Sequence, residues 1–175
     1  MVPLWAAAAK EIAVHAIQEV NLDFHARYDA TQRTYEYWCH VGKNPFLKGL
    51  SMELFRELDL EAMNKAAAFL LGEKDFTSFA KLHGSAKHNY CQVFSAGWEL
   101  NSGVYVFTIS ANRFLRNMVR ATVGTLFQIG LGKEDPDHVN LVLQQKNRGA
   151  AGESVKACGL YLTDIKYPNL EWQRQ

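Results

Sequence analysis

One turn sequence constrains the fold of this chain more than any other feature. Residues 90–100 and 104–111 are both rich in aromatic and β-branched residues, and the segment Asn101-Ser102-Gly103 separates them. Asn and Gly are typical of the tight turn of a β-hairpin, because they tolerate the positive φ that such a turn needs. The two segments are therefore predicted to form adjacent antiparallel strands.

Three other segments have the pattern of β-strands. Apolar residues alternate over residues 12–20, residues 33–41 are rich in β-formers and end at a Gly and Pro turn, and residues 159–167 form a last strand-like run. Together with the hairpin they predict a sheet of five strands.

Three segments have helical patterns. Residues 59–71 form the first, with Asp59 as N-cap and Gly72 as the C-terminal stop. The others are residues 113–129 and a helix that Asp135-Pro136 opens and that runs to Lys146. The order β-β-α-β-β-α-α-β predicts an α+β fold in which the helices cover one face of a mostly antiparallel sheet.

Composition limits the class of protein. The chain has 175 residues, of which 48% are apolar and 21% charged, with a net charge of +1. These values predict a soluble, single-domain protein. Three cysteines, far apart in sequence, indicate a reducing cytoplasm, and no apolar run is long enough to suggest a membrane span.

Motifs for metal or nucleotide chemistry are weak. His83, His88 and Cys91 have the spacing H-x4-H-x2-C, which does not give the tight ligand pairs of a structural zinc site. Gly130-Leu131-Gly132 follows a helix rather than a strand, so it does not indicate a dinucleotide-binding loop. No metal site is therefore predicted.

The distribution of charge is more informative. Residues 100–133 carry four cations and no acid: Arg113, Arg116, Arg120 and Lys133. On a helix the three arginines would share one stripe. A stripe of this kind is either a solvated face or a site for phosphate or a carboxylate, since the guanidinium group offers paired donors. The pattern alone leaves both interpretations open.

Arg120 differs from the other two arginines. Met118 and Val119 precede it, and Gly124 lies one turn later, where a small residue permits close backbone packing. Arg120 is therefore expected to be partly buried and to need a carboxylate partner. Tyr35 and Tyr37 alternate on the second predicted strand, where each could be a core residue or a stacking surface for a base.

Five fragments of the chain resemble the tRNA pseudouridine synthase A family and occur in the family's order. They are FHARYDAT at residues 24–31, RTYEY at 33–37, LGEKDFTSF at 71–79, ANRFLRNMVRATVG at 111–124, and GLYL at 159–162 before Tyr167-Pro168. The resemblance implies the pseudouridine synthase fold, with one ferredoxin-like half present here. Within these fragments, structural capping is the favoured role for Asp75, Thr77 and Ser78.

Members of this family carry a catalytic aspartate in an R-T-D-x-G-V-H segment, and this sequence contains no such segment. The expectation is therefore that the chain is the C-terminal part of such an enzyme and is inactive alone. Residues 11–168 would form the synthase domain, residues 1–10 an unmatched N-terminal segment, and residues 169–175 a tail.

The resemblance also implies roles for individual residues. Arg120 would be the ion-pair partner of the absent aspartate, Tyr35 would pack against the uridine, and Leu160 would line the uracil pocket. Such enzymes convert uridine to pseudouridine at positions 38, 39 and 40, in the anticodon stem-loop of tRNA, without a metal or cofactor.

Binding partners follow from the same resemblance. Arg27, Arg113 and Arg116 would contact tRNA phosphates, and the family functions as a homodimer. Two alternatives remain on the sequence alone: a non-catalytic module that binds tRNA, and a domain that serves only for dimerisation.

Overall fold

The computed structural model describes residues 11–81 and 88–168, which contain one sheet and three helices. The strands are β1 (Gln32–Val41), β2 (Met52–Leu54), β3 (Gly72–Asp75), β4 (Tyr90–Asn101), β5 (Val104–Ala111) and β6 (Leu160–Lys166). The helices are α1 (Leu60–Ala68), α2 (Met118–Gly130) and α3 (His138–Gln145). The predicted α+β class is confirmed.

The sheet has the order β2-β1-β5-β4-β3, and β6 also pairs with β1. Strand β2 runs parallel to the end of β1, whereas every other pairing is antiparallel. Since β5 occupies one side of β1, β2 and β6 share the other side and pair with different parts of the strand. The prediction of a mostly antiparallel sheet is confirmed, and the parallel pairing of β1 with β2 makes the sheet mixed.

The hairpin predicted at Asn101-Ser102-Gly103 joins β4 and β5. Ser102 and Gly103 form its two-residue turn, and both have positive φ, 50° and 82°. The register shifts between Val93 and Ser95, so Phe94 is an extra residue in β4. This bulge keeps Val93 and Trp98 on the same buried face of the sheet.

The helices form a layer on one face of the sheet. Helix α1 packs against α2 and β4, and α3 packs against α1 and α2. Phe127 of α2 lies over the sheet, with its ring centroid 6.4 Å from that of Tyr37 and 5.8 Å from that of Trp98. Asp59 caps α1 as predicted, because its Oδ1 accepts a hydrogen bond of 2.9 Å from the Ala62 N–H.

The strand predicted over residues 12–20 is wrong. That segment has no regular secondary structure, and Ile12 and Ile17 are 61% and 65% exposed. A strand needs a neighbour to satisfy its backbone groups, and no strand of the described chain pairs with these residues. Alternating apolar residues therefore did not produce a strand here.

The predicted start of the long helix is also wrong. Helix α2 begins at Met118, and Asn117 before it has φ 70°, a left-handed conformation that interrupts a helix. Arg113 and Arg116 therefore precede the helix and do not share a helical stripe with Arg120. The part of the cation-rich segment that carries the three arginines is therefore a loop followed by the start of a helix.

Smaller differences concern element ends. Helix α3 begins at His138 with Asp137 as N-cap, not at Asp135-Pro136, and the Asp135 carbonyl instead accepts a hydrogen bond from the His138 N–H. Helix α1 ends at Ala68, before the predicted stop at Gly72. Strands β2 and β3, of three and four residues, were not predicted.

The favoured capping role of Asp75, Thr77 and Ser78 agrees with the structure. Asp75 Oδ1 accepts a 3.0 Å hydrogen bond from the Thr77 N–H. The Ser78 hydroxyl donates to the Val142 carbonyl and accepts from the Asn147 N–H, so it ties α3 and the following turn to this segment. Across the described residues, no helix has the length and apolar character required to traverse a bilayer.

Candidate active site

Two adjoining cavities lie where β1, β6 and the start of α2 meet. The first, the aromatic lobe, has a volume of about 350 Å³ and is lined by Arg27, Tyr35, residues 114–120 and Leu160. The second, the polar lobe, has a volume of about 400 Å³ and is lined by Lys81, Arg116, Asn117, Arg120, Ser154 and Leu160. The two lobes share four residues and so form one continuous site.

Strand pairing brings Tyr35 and Leu160 to the aromatic lobe. Leu160 begins β6 directly opposite Tyr37, and residues that pair in a sheet point to the same face. Tyr35 lies two residues from Tyr37 on β1 and therefore shares that face. Both residues thus lie on the helix-covered side of the sheet, where the cavity opens.

The two strand tyrosines have different environments. Tyr37 is fully buried, and its hydroxyl donates a 2.7 Å hydrogen bond to the Lys156 carbonyl. Burial raises the pKa of Tyr37, so this residue stays neutral and belongs to the core. Tyr35 is partly buried and meets the ring of Phe114 edge-on, with centroids 5.1 Å apart. Of the two, only Tyr35 lines the cavity.

Residues 152–155, here named the crossing segment, pass directly over α2. A Cβ atom built on Gly124 would lie 1.8 Å from the Glu153 carbonyl oxygen, and one on Gly152 would lie 2.8 Å from the Gly124 backbone. The prediction that Gly124 permits close packing is therefore confirmed. Two glycines allow the two backbones to touch.

The crossing segment fixes Arg120. The Val155 N–H donates to the Arg120 carbonyl at 3.2 Å, and the Arg120 Nε–H donates to the Val155 carbonyl at 2.6 Å. These reciprocal bonds hold the side chain against α2 at the point where both lobes meet. As predicted, Arg120 is partly buried.

Arg120 has no carboxylate partner within the described residues. The salt bridges of residues 11–81 and 88–168 all lie elsewhere, and neither lobe is lined by Asp or Glu. A partly buried guanidinium whose Nε is already bonded still has two terminal nitrogen atoms to offer, and these match the two oxygen atoms of a carboxylate. The site is therefore suited to binding an anion.

Ser154 connects the crossing segment to the loop before α2. Its hydroxyl oxygen accepts hydrogen bonds from the Asn117 side-chain amide and, at 3.0 Å, from Arg148 Nη2. Asn117 thus uses its side chain to reach Ser154 and makes no side-chain cap of α2. These contacts fix the left-handed turn at which the two lobes join.

Arg27 is placed by a second arginine. Arg33 donates hydrogen bonds to the Ala30 carbonyl at 2.6 Å, to the Asn112 carbonyl at 2.7 Å, and to the Arg27 carbonyl. It therefore ties the loop that carries Arg27 to the loop that leads into α2. Arg27, Arg116 and Arg120 reach the aromatic lobe from separate elements.

Arg113 does not join this site. Its Nη1 lies 3.2 Å from Nε2 of His88, outside the lining of both lobes. Burial raises the pKa of the nearby Cys91 thiol to about 11, although the charge of Arg113 opposes this. His83 lies outside the described residues, and no cluster of three metal-binding side chains occurs among those that are described.

Sequence reasoning missed Lys81 and Ser154. Lys81 has no distinctive neighbours in sequence, and its N–H donates a 2.9 Å hydrogen bond to the Arg116 carbonyl. Ser154 lies in the loop between α3 and β6, which had no motif. Asn117 lies within the ANRFLRNMVRATVG fragment, but helical spacing there concealed its left-handed conformation.

Comparison with known proteins gives the site its context. A family model described as tRNA pseudouridine synthase matches residues 66–168. A protein named tRNA pseudouridine synthase A from Parabacteroides distasonis is 48% identical over 159 residues, covering 91% of this chain and 63% of that protein. Proteins of the same name from Porphyromonas gingivalis and Aliivibrio fischeri are 44% and 39% identical, covering 91% and 94% of this chain and 64% and 63% of their own lengths.

The chain therefore spans less than two thirds of these relatives. The matched region of the family model extends from α1 through β6 and includes both Arg120 and Leu160. A model that covers more than half of the chain, together with relatives of this identity, establishes the relationship. The chain belongs to the tRNA pseudouridine synthase family.

Proposed function

We propose that this chain supplies the arginine and the base pocket of an enzyme that converts uridine to pseudouridine in tRNA. The observation that supports the proposal is the meeting of Tyr35, Arg120 and Leu160 in one cavity, although they lie on three different elements. The names of the relatives and the family model agree with this reaction class.

The reaction is an isomerisation. The bond between C1′ of ribose and N1 of uracil breaks, the base turns, and C1′ forms a bond with C5. The hydrogen on C5 is lost as a proton and N1 gains one, so atoms and electrons balance without a redox partner. An aspartate acts as nucleophile or base in this scheme.

Arg120 would pair with that aspartate. Burial disfavours the ionised form of a carboxyl group and raises its pKa, whereas a neighbouring guanidinium lowers it. The hydrogen bond from Nε to the Val155 carbonyl orients Arg120 and leaves the terminal nitrogen atoms for a carboxylate. The arginine would thereby keep the nucleophile ionised at neutral pH.

The aspartate itself would come from a polypeptide segment that this sequence does not contain. The lining of the two lobes includes none of the seven aspartates of the chain, and none of the seven follows an Arg-Thr pair. The chain alone is therefore expected to be inactive. Residues 11–168 would form the C-terminal synthase domain.

Tyr35 and Leu160 would hold the target base. A uridine in a stem must leave the helix before its C1′ can react, at a cost of a few kcal/mol. The partly buried ring of Tyr35 offers a stacking surface, and Leu160 provides an apolar wall on the same side of the sheet. Contacts of this kind offset the cost of unstacking.

The RNA substrate would be the anticodon stem-loop, with uridines 38, 39 and 40 as targets. Arg27, Arg113 and Arg116 would contact its phosphates, the first and last from the cavity and Arg113 from the neighbouring surface. The enzyme would act in the cytoplasm as a homodimer.

The experiment that tests this proposal is complementation. The purified chain is incubated with unmodified tRNA, first alone and then after co-expression with the N-terminal region of a relative that carries the R-T-D-x-G-V-H segment. Pseudouridine is detected by mass spectrometry after chemical labelling. We expect none with the chain alone and turnover with the pair.

Other outcomes separate the alternatives. Pseudouridine formed by the chain alone would overturn the proposed division of the active site. Binding of tRNA without turnover in the complemented pair would indicate a non-catalytic RNA-binding module. Absence of any salt-dependent tRNA binding would indicate a dimerisation domain.

A further inference from the structure

The polar lobe concentrates positive charge at the end of the site away from Tyr35. Lys81, Arg116 and Arg120 contribute to its lining, and none of its six lining residues is acidic. Under the proposed function Arg120 pairs with the aspartate, and within the described residues Lys81 and Arg116 form no salt bridge. An anion bound near both cations would relieve their mutual repulsion. The lobe is therefore electrostatically suited to a group of negative charge.

Ser154 adds a hydroxyl group, a hydrogen-bond donor, to the cations of the polar lobe. Its oxygen already accepts hydrogen bonds from Asn117 and Arg148. A hydroxyl group has one proton and two acceptor positions, so both acceptor positions are used. Among residues 11–81 and 88–168 the Ser154 hydroxyl donates no hydrogen bond, which leaves its proton available to a ligand oxygen.

The polar lobe adjoins the aromatic lobe, which would hold the base. The two lobes are adjacent because they share four lining residues, namely Arg116, Asn117, Arg120 and Leu160. Their volumes, about 350 and 400 Å³, lie within the range of about 300–1,000 Å³ typical of small-molecule pockets. A nucleoside in the aromatic lobe would carry its own phosphate toward the polar lobe.

We infer that the polar lobe binds the phosphate group of the nucleotide whose base occupies the aromatic lobe, with Lys81 and Ser154 as phosphate-binding residues. This inference rests on the proposed function, because it takes uridine to be the base. It differs from general backbone binding, since it concerns the phosphate of the target nucleotide itself.

The first helical turn of α2 agrees with this assignment. Asn117 does not cap the helix with its side chain, and residues 117 and 120 line the polar lobe. The positive end of the helix dipole therefore adds to the charge of the side chains.

The test compares uridine with uridine 5′-monophosphate and uridine 3′-monophosphate. Each is titrated into the full chain, and binding is followed by calorimetry and by NMR shifts of the Tyr35 and Lys81 amides. Charge-assisted hydrogen bonds from Lys81 and Ser154 predict that at least one monophosphate binds about tenfold more tightly than uridine.

Variants identify the group responsible. Lys81→Met is expected to reduce the preference for the monophosphate to about threefold or less, whereas Lys81→Arg keeps it. Ser154→Ala should reduce the preference without abolishing it. Lys133→Met is the matched control, because Lys133 is exposed and does not line either lobe. A merely structural role of Lys81 would weaken uridine and monophosphate equally and leave their ratio unchanged.

The outcomes separate this inference from the proposed function. Equal affinity for uridine and both monophosphates, or a ratio unaffected by Lys81→Met, overturns the phosphate site and leaves the base site standing. A different outcome overturns the base site instead. In that outcome inorganic phosphate shifts the NMR signals of the Lys81 and Ser154 amides, but uridine does not shift that of Tyr35. If no ligand shifts any of these amides, both are overturned.

Discussion

Arg120 has a geometry that a lysine cannot reproduce. Its Nε is bonded to the Val155 carbonyl, and its terminal nitrogen atoms meet no acid of the described chain. A lysine has a single ammonium nitrogen, so it cannot bind the carbonyl through one nitrogen atom and present two others side by side to a carboxylate. Arg120 can therefore bind a carboxylate while the Val155 carbonyl keeps its side chain in place.

The Arg120→Met variant tests this role in the complemented enzyme. We expect turnover to fall by about 100-fold or more, since one preorganised charge partner of the reacting group is lost. Affinity for tRNA, measured by filter binding, should fall far less. Arg56→Met serves as control because Arg56 is exposed and outside the site. Similar losses of turnover and affinity would mean that Arg120 is only a phosphate contact.

Gly124 is the residue on which the position of Arg120 depends. A methyl group in Gly124→Ala would collide with the Glu153 backbone, which belongs to the crossing segment. Hydrogen bonds between Val155 and Arg120 hold this segment against α2. We expect a loss of about 1–3 kcal/mol in the free energy of unfolding. Urea denaturation followed by circular dichroism measures it.

Gly97→Ala is the matched control for this substitution. Its added methyl group would meet only the Asn64 side chain, at 3.6 Å, an ordinary contact distance. Stability should therefore change little. If both variants were equally stable, the close approach of the crossing segment to α2 would be contradicted.

At the scale of elements, local pattern located the hairpin but not the start of α2. The turn at Ser102 and Gly103 needs only its own residues and their positive φ. Phe114 and Met118, by contrast, have helical spacing although Phe114 lies in a loop. The spacing of apolar residues does not show the left-handed conformation of Asn117. That conformation depends on a hydrogen bond to Ser154, which lies far along the chain.

The incorrect strand over residues 12–20 has a related cause. Ile12, Val14 and other alternating residues satisfy the pattern of a strand, but pairing is a property of two segments. Strands β2 and β3 show the converse, because they are too short for a pattern and exist through their neighbours β1 and β4. Local sequence therefore indicates a strand less reliably than it indicates a turn.

The segment after β3 allows a pH-dependent prediction. Burial of Asp75 raises the pKa of its carboxyl group, but hydrogen bonds from Thr77 and the Lys146 ammonium, at 3.1 Å, outweigh this and lower it. A depressed pKa in the folded state stabilises the protein above the unfolded pKa of about 4, and this stabilisation is lost as the pH falls through the folded value.

Asp75→Asn should therefore be less stable than the parent chain at pH 7. The difference in urea midpoint is expected to shrink as the pH is lowered from about 4 toward 2, because the parent loses the same charge by protonation. The exposed Asp164→Asn is the control and should show no such convergence. A difference that stays constant with pH would contradict the assigned ion pair.

At the scale of the whole molecule, the site is assembled from distant parts of the chain. Arg27 precedes β1, Arg120 lies in α2 and Leu160 begins β6, and the sheet with its helical layer brings them together. The sequence pattern indicated a cation-rich region, and the family resemblance implied that Tyr35, Arg120 and Leu160 belong to one site. Lys81 could not be predicted in this way, because only the folded chain places it beside Arg116.

Under the proposed function, the cationic lining predicts how tRNA binding depends on salt concentration. Neutralising a phosphate releases a counter-ion, so the logarithm of affinity falls linearly with the logarithm of salt concentration, by about 0.9 per contact on a duplex. The double variant Arg27→Met, Arg116→Met should therefore lower this slope by nearly 2. Filter binding over a range of potassium chloride concentrations measures it.

The comparison variant for this experiment is Arg56→Met, which removes the same charge from an exposed position outside the lining. It should leave the slope unchanged, because a cation that contacts no phosphate releases no counter-ion. If the double variant and this control gave the same slope, the two cavity arginines would not contact RNA. Under the proposed function, the cavity would then lack the phosphate contacts that position a flipped uridine. The cavity can hold only a small part of a tRNA, so the surrounding cations would have to bring that part to it.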